Sequence, residues 1–329
     1  MRPLRGLHHI TAITSSAEKN YQFFTYILGM RLVKKTVNQD DIQAYHLFFA
    51  DEEGSPGTDV TFFDFPNSVA NQRGTNEISR IGLRVPSDEA LNYWMKRFSQ
   101  KAVYFEPIRV IAGRKMVFFE DFDQQRYALV SDENVAGVAP GKVWRKGPIP
   151  NEYGITGLGP VFMTLSNVET MGDVLTSFMG MKLITQDDKY FVYEMGEGGN
   201  GASVFLELDP RPHRASQGYG GVHHVAFRVD DLEAIHDWIN ALNKNHLYHS
   251  GLVDRFYFKS LYTRLYPNIL FEFATDGPGF IDDEEDIEHL GEILALPPKF
   301  RSQRAYVESV VRPIDTVRST KVFEKEYNE

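Results

Sequence analysis

The chain of 329 residues contains no cysteine, which excludes disulfide bonds, thiolate metal ligands and a cysteine nucleophile. It also has no uninterrupted apolar run near the ~20 residues that a membrane-spanning helix needs. The opening segment MRPLRGLHHI lacks an apolar signal core, so we expect a cytoplasmic protein. Neither a P-loop nor a G-x-G-x-x-G motif after a predicted strand is present, and both common nucleotide-binding motifs are therefore missing.

Basic residues are outnumbered by acidic ones, and this balance limits the choice of partner. Asp and Glu number 45 against 35 Lys and Arg, which gives a formal net charge of −10. Such a surface disfavours nucleic acids and anionic membranes as partners. The hydrophobic fraction of 42% is ordinary for a globular protein, and the length is sufficient for two domains. Without cysteine, a metal ion would bind through histidine and carboxylate, which favours Fe, Mn, Zn, Ni or Co.

A pattern of one strand, one helix and three strands recurs four times along the chain. The first unit combines a helix capped by Ser15 or Ser16 with strand candidates at 7–14, 31–38, 44–50 and 58–65. The later units begin near residues 77, 159 and 221. In the last unit we expect the closing strands near 254–258, 261–265 and 268–274. Short strands that alternate with single helices predict an α+β fold.

Two direct repeats indicate that the chain is a duplication. LGMRLV at 28–33 matches MGMKLI at 179–184, and IGLRVPSDEAL at 81–91 resembles VAFRVDDLEAI at 225–235. Each half is therefore expected to pair two βαβββ modules into a curved mixed sheet around a cup. The predicted division is an N-terminal pair at 1–140, a Gly/Pro-rich linker at 141–156, a C-terminal pair at 157–280 and a helical tail at 281–329.

The tail is predicted to begin with an acidic amphipathic helix in IDDEEDIEHLGEIL, followed by a second short helix. Its length indicates that it packs on the domain or on a neighbouring subunit, so a homo-oligomer is one possible assembly.

Two adjacent histidine pairs and one carboxylate lie in strand-like, apolar segments. The pairs occur in LHHIT at 7–11 and VHHVAF at 222–227, and the carboxylate lies in LFEF at 270–273. We predict that His9, His224 and Glu272 converge on one metal ion. Two imidazoles and one carboxylate form the facial triad of non-haem Fe(II) oxygenases, which leaves metal positions open. A single strand histidine is more often a structural residue, and Glu272 has the alternative of a salt bridge.

Strand alternation turns neighbouring side chains to opposite faces, so His8 and His223 would point away from such a metal. A β-bulge would bring them back to the rim of the cup. Periodicity alone does not choose the ligand within each pair. The remaining six histidines lack a comparable setting, and we interpret them as surface or structural residues: His46, His213, His236, His246, His249 and His289.

The repeat offsets predict that only one cup holds metal. An offset of 144 residues carries His224 onto Arg80 and Glu272 onto Ala128. An offset of 151 residues carries His9 onto Pro160. The second and third modules therefore lack ligands at the corresponding positions.

LHHIT, the repeated βαβββ modules and HHVAF…FEF together resemble the vicinal oxygen chelate superfamily, which includes glyoxalases, bleomycin-resistance proteins and extradiol dioxygenases. The resemblance extends nearly end to end and is strongest to hydroquinone-type ring-cleaving dioxygenases, through YHLFFADEEGSPGT at 45–58 and the segment GPGFIDDEEDIEHLGEILALPP.

This resemblance implies an Fe(II) ion held by His9, His224 and Glu272, although Zn, Mn or Ni could replace iron in the purified protein. It also implies a small aromatic substrate and O₂, with oxygen inserted next to the carbon whose hydroxyl binds the metal. The residues that it places around the metal are His8, Thr11, His223, Arg255 and Tyr262.

Two other functions remain open at this point. A glyoxalase-like isomerase or lyase with Zn or Ni would use the same fold, but that chemistry usually has four protein ligands and the sequence offers three. A non-catalytic protein that sequesters small aromatic compounds would need neither the metal nor the residues around it.

Overall fold

The computed structural model describes residues 3–211, 213–281 and 284–327. Its first two modules contain the following elements: β1 (Leu7–Ile13), α1 (Ala17–Gln22), β2 (Arg31–Val37), β3 (Tyr45–Ala50), β4 (Asp59–Asp64), then β5 (Glu77–Val85), α2 (Asp88–Gln100), β6 (Arg109–Ile111), β7 (Arg114–Glu120) and β8 (Arg126–Ser131). The other two contain β9 (Gly157–Leu165), α3 (Val168–Asp173), β10 (Lys182–Gln186), β11 (Tyr190–Glu194), β12 (Ser203–Leu208), then β13 (Gly221–Val229), α4 (Leu232–Lys244), β14 (His249–Asp254), β15 (Lys259–Tyr266) and β16 (Ile269–Thr275). The α+β class and the four βαβββ modules are confirmed.

Local sequence signals explain where the helices of the modules begin. Ser16, Ser87, Asn167 and Asp231 are N-caps whose side chains accept a hydrogen bond from the backbone N–H three residues later. The helices α1 and α3 continue into single π-helical turns, Phe23–Ile27 and Val174–Phe178. Among the described residues, no helix is both long and apolar enough to cross a membrane.

The sixteen strands form two eight-stranded sheets, and each sheet joins modules from both halves of the chain. The first sheet has the order β14-β15-β16-β13-β1-β4-β3-β2, and the second has the order β10-β11-β12-β9-β5-β8-β7-β6. The first module thus pairs with the fourth and the second with the third, whereas the sequence analysis paired neighbours within each half. The first strand of every module lies at an edge of its own four strands, so any two modules can join through these strands. The repeat itself does not specify the partner.

This pairing places the two histidine pairs in neighbouring strands. β1 and β13 run antiparallel at the centre of the first sheet, and β16 lies on the other side of β13. Residues 9, 224 and 272 therefore come from three adjacent strands of one curved sheet, although 263 positions separate the first from the last along the chain.

Two predicted elements differ from the structure. The strand expected near 254–258 lies at His249–Asp254, because residues 255–258 form the turn of the β14–β15 hairpin and Phe256 has a φ of 68°. Residues 282 and 283 of the predicted acidic helix lie outside the described residues. The segment is not helical over 284–297, where Gly291 has a φ of 76° and a Cβ there would lie 2.3 Å from the Leu32 carbonyl oxygen. The second tail helix is confirmed as α5 (Arg304–Val310), after a 3-10 turn at Pro298–Gln303.

The tail packs along the outer edge of β2 on its own chain. Lys34 Nζ lies 2.6 Å from Glu285 Oε2, and both side chains are almost completely buried. The backbone N–H of Ala295 donates to the Lys35 carbonyl, and Arg318 donates to the Leu32 carbonyl. The edge of the sheet beside the cup is thus covered by the tail.

Candidate metal centre

Three buried side chains point their ligand atoms at one another inside the first cup. His9 Nε2 lies 3.1 Å from Glu272 Oε2, and His224 Nε2 lies 2.9 Å from the same oxygen. The two imidazole nitrogens are 3.3 Å apart. In the described part of the chain, this is the one group of three or more His, Cys, Asp or Glu side chains close enough to hold a metal ion.

The arrangement of these atoms fits a metal ion. Ligand atoms at right angles and about 2.1 Å from an ion lie about 3.0 Å apart, close to the three separations here. Glu272 Oε2 is fully buried and makes no hydrogen bond, which would be costly unless a cation occupied the site. Its other oxygen accepts a 2.5 Å hydrogen bond from Ser260, which fixes the orientation of the carboxylate.

β-bulges bring both members of each histidine pair to the site. On β1, His8 and His9 lie opposite the single residue Ala226 of β13. On β13, His223 is the extra residue, since its two neighbours pair with consecutive residues of β1. Regular alternation is interrupted at both pairs, and this irregularity brings His8 and His223 against the ligand histidines.

His8 fixes the proton of His9. Its Nδ1 lies 2.8 Å from His9 Nδ1, and its Nε2 lies 3.0 Å from the Thr275 carbonyl oxygen. A carbonyl only accepts, so His8 Nε2 carries a proton. Burial and the neighbouring His9 lower the pKa of His8 to about 3, so its ring is neutral and Nδ1 is an acceptor. His9 must therefore donate from Nδ1, which leaves its Nε2 lone pair free for a metal.

His223 repeats this contact on the second ligand. Its Nδ1 lies 2.8 Å from His224 Nδ1. Burial, followed by the effect of His224, lowers the pKa of His223 to about 3, so this ring is neutral as well. When His224 binds a metal through Nε2, His223 Nδ1 accepts and its Nε2 carries a proton. His223 lines the cavity above the site.

A hydrogen-bonded row of polar groups leads from His224 to a histidine that we had interpreted as surface or structural. Thr11 Oγ1 lies 3.0 Å from His224 Nε2 and 2.7 Å from Thr61 Oγ1. Thr61 Oγ1 in turn lies 2.9 Å from His46 Nε2. Neither His46 nor Thr61 was predicted as a site residue, because neither belongs to a motif in the sequence. The signal available in the sequence was alternation, since His46, Phe48 and their facing residues on β4 share one face.

Arg255 and Tyr262 lie together on the wall of the cup. Arg255 Nε donates to the Tyr262 hydroxyl at 3.1 Å, and Arg255 Nη2 lies 2.9 Å from Asp40 Oδ2. Gln39 donates to the Arg255 carbonyl, so the loop between β2 and β3 is attached to the β14–β15 turn. Burial lowers the pKa of Arg255, but Tyr262 and Asp40 outweigh it and raise the pKa. Burial also raises the pKa of Tyr262, which keeps its hydroxyl protonated.

A cavity of about 400 Å³ opens beside His9 and His224. This volume suits a small organic molecule. Aromatic side chains form part of its wall: Phe48, Phe63, Phe65, Tyr257, Phe258 and Tyr262. The polar loop at 38–41 lies at the same cavity.

The second cup has an apolar interior at the corresponding positions. Phe118, Ala128 and Phe162 belong to a buried apolar cluster there. The guanidinium of Arg80, which stands in place of His224, lies 3.6 Å from the centre of the Phe118 ring. Among the described residues, no second group of metal-ligating side chains lies in this cup.

Comparison with known proteins identifies the superfamily to which this fold belongs. The model of the Glyoxalase/Bleomycin resistance protein/Dioxygenase superfamily matches residues 6–129 and 157–277. The chain belongs to this superfamily.

Relatives extend over nearly the full length. The chain is 43% identical over 317 residues to the "Putative ring-cleaving dioxygenase MhqA" of Bacillus subtilis (strain 168), covering 94% of this chain and 99% of that protein. It is 31% identical to the "Chlorohydroquinone/hydroquinone 1,2-dioxygenase" of Sphingobium indicum, covering 90% of this chain and 92% of that protein. A crystal structure of a "putative dioxygenase" from Bacillus subtilis has a TM-score of 0.88 at 31% identity, covering 96% and 99% of the two chains.

Glyoxalase I from Zea mays has a TM-score of 0.57 at 15% identity, covering 82% of this chain and 92% of that chain. At this identity the likeness shows the fold alone.

Proposed function

We propose that this protein is an Fe(II)-dependent, extradiol-type ring-cleaving dioxygenase that acts on hydroquinone-type aromatic compounds in the cytoplasm. The observation that carries the proposal is the cluster of His9, His224 and Glu272, whose two histidines line a cavity that also has aromatic walls. Three protein ligands would leave other coordination positions of a bound metal for substrate and O₂. The relatives named as ring-cleaving and hydroquinone dioxygenases support this reading. The corresponding role would be the breakdown and detoxification of such compounds.

Iron, when bound, would lower the pKa of a coordinated phenolic hydroxyl and bring O₂ beside the activated ring. The aromatic walls would hold the ring of the substrate in an apolar space and exclude water. His8 would act through His9, by holding the Nδ1 proton that keeps Nε2 available. Thr11 would hold its hydroxyl beside His224, where it can donate to an oxygen at the open face.

His223 and Arg255 would manage protons and charge in the cavity. The Nε2–H of His223 would donate to a substrate oxygen, and Nε2 could recover a proton only after it had given up its own. Arg255 would stabilise the negative charge of an acidic product, since it remains cationic. Tyr262 accepts from Arg255, which directs the guanidinium towards the cavity.

The proposal is tested by oxygen uptake after anaerobic reconstitution with Fe(II). We expect the reconstituted wild-type protein to consume O₂ with hydroquinones, and catechols serve as the comparison substrates. Glu272→Gln is the matched variant, because it keeps the shape of the side chain and removes the charge. Wild-type O₂ uptake by this variant, or none by the wild type, would contradict the proposal.

A parallel assay with the methylglyoxal–thiol adduct separates this function from a glyoxalase-like isomerase. Elemental analysis of the protein as purified separates it from a metal-free binding protein.

A further inference from the structure

His46 lies on the cavity wall as the end of the polar row that starts at His224. The row crosses β13, β1, β4 and β3, so His46 is three strands away from the metal ligand. The His46 ring is packed between two aromatic side chains, with its centre 4.0 Å from that of Phe48 and 4.4 Å from that of Phe63. This packing fixes the position of the ring. His46 lines the same cavity as His9 and His224, although it is not one of the metal ligands.

Only one nitrogen of His46 is engaged by the protein. Nε2 is bonded to Thr61, and Nδ1 has no hydrogen-bond partner among residues 3–211, 213–281 and 284–327. Burial, followed by the effect of His9, holds the pKa of His46 well below its usual range, so the ring is neutral. A neutral imidazole has one donor and one acceptor nitrogen. Whichever function Nε2 uses with Thr61, Nδ1 has the other one to offer to a ligand.

A 1,4-dihydroxybenzene has a second hydroxyl that would need a hydrogen-bond partner inside the cavity. One hydroxyl would bind at the three-ligand face, and the ring would direct the other hydroxyl away from it. Phe48 and Phe63, which pack on His46, cannot pair with a hydroxyl, which would be penalised if it were buried against them without a partner. A phenolic hydroxyl both donates and accepts, so it matches Nδ1 in either tautomer.

We propose that His46 Nδ1 hydrogen-bonds the substrate hydroxyl that lies remote from the metal, and that this contact selects 1,4-dihydroxybenzenes over simple phenols. The inference rests on the function proposed above and assigns the specificity for the second hydroxyl to one residue.

Two substitutions of His46 test the roles of its two nitrogens separately. In His46→Asn the side-chain amide takes the position of Nδ1, and the hydrogen bond to Thr61 is lost. In His46→Gln the side-chain amide takes the position of Nε2, and no polar atom remains at the position of Nδ1.

The compounds to be bound are hydroquinone, phenol and 4-methoxyphenol. The methoxy oxygen of 4-methoxyphenol can accept a hydrogen bond but cannot donate one. Binding is measured by anaerobic titration calorimetry on Fe(II)-reconstituted protein, with the iron content of every variant determined alongside.

The wild type should bind hydroquinone about 2- to 13-fold more tightly than phenol, the range of one neutral hydrogen bond. His46→Gln should bind hydroquinone no more tightly than phenol, with the affinity for phenol unchanged. His46→Asn should keep the wild-type preference for hydroquinone over phenol. In the wild type, 4-methoxyphenol reports the tautomer: it binds as hydroquinone does when Nδ1 is the donor, and as phenol does when Nδ1 is the acceptor.

An unchanged ratio in His46→Gln would overturn the role of His46, and so would an equal weakening of both ligands. Phe65→Leu is the matched control, because it alters the same wall without a polar atom and should leave the ratio intact. A wild type that turns over hydroquinone but prefers it no more than phenol refutes only the inference on His46. A wild type that consumes no O₂ with any hydroquinone refutes the proposed function instead.

Discussion

Removal of the imidazole of His8 is expected to weaken metal binding although His8 is not itself a ligand. In His8→Phe, the aromatic ring can remain beside Phe258, whose centre is 5.1 Å from that of His8. The Nδ1 proton of His9 then loses its acceptor at 2.8 Å in a site that is about 2% exposed. Leaving a buried donor unpaired costs about 1–3 kcal/mol. Moving the proton to Nε2 avoids this cost, but it removes the lone pair that a metal needs.

Either response lowers the affinity for metal. Loss of such a supporting contact typically costs about 10- to 100-fold in metal affinity. This corresponds to about 1.4–2.7 kcal/mol of binding free energy. The measurement is a competition titration of Zn(II) against a chromophoric chelator, repeated with Fe(II) under anaerobic conditions.

His8→Asn serves as the control, because its amide oxygen can reach the place of Nδ1 and accept the same proton. We expect it to recover most of the affinity. If His8→Phe binds metal as tightly as the wild type, the reasoning on the His9 tautomer is refuted.

Three further predictions concern the site, the tail and the second cup. Glu272→Gln should bind no stoichiometric iron while its circular dichroism spectrum stays that of the wild type; stoichiometric iron in this variant would exclude Glu272 as a ligand. Lys34→Met should lower the free energy of unfolding by about 3–5 kcal/mol, because it leaves Glu285 charged and buried, and the double variant with Glu285→Leu should recover much of the loss in denaturant titrations. Arg80→Met should leave metal content and O₂ uptake unchanged, since Arg80 lies in the other sheet; a loss of iron in this variant would show that the second cup supports the first.

The histidine pairs illustrate how far sequence reasoning reaches. Adjacent histidines in two apolar strands, with a carboxylate in a third, indicated a metal site because uncompensated burial of such groups is costly. Alternation nevertheless turned His8 and His223 away from the site. The structure brings them back through two β-bulges, and a bulge depends on the register between strands that are distant in sequence.

His46 and the acidic tail show where local patterns are insufficient. His46 is one polar residue in a strand, and its contacts with Thr61 and the cavity arise from strand pairing. The segment after residue 281 has the composition of an amphipathic helix. Instead, Glu285 pairs with a buried lysine, and Gly291 takes a positive φ against β2. Tertiary contacts override helix propensity there, as they commonly do.

The sequence by itself determined the α+β class, the four βαβββ modules and the duplication, because strand alternation, helix caps and repeats are local properties. It also indicated which residues could bind a metal, because buried histidines and carboxylates require a partner. Only the tertiary structure decided that the first module pairs with the fourth, which brings residues 9, 224 and 272 together. It also decided which nitrogen of each histidine is free, because that depends on what the other nitrogen contacts. Strand pairing and hydrogen bonding between distant residues leave little trace in a single sequence.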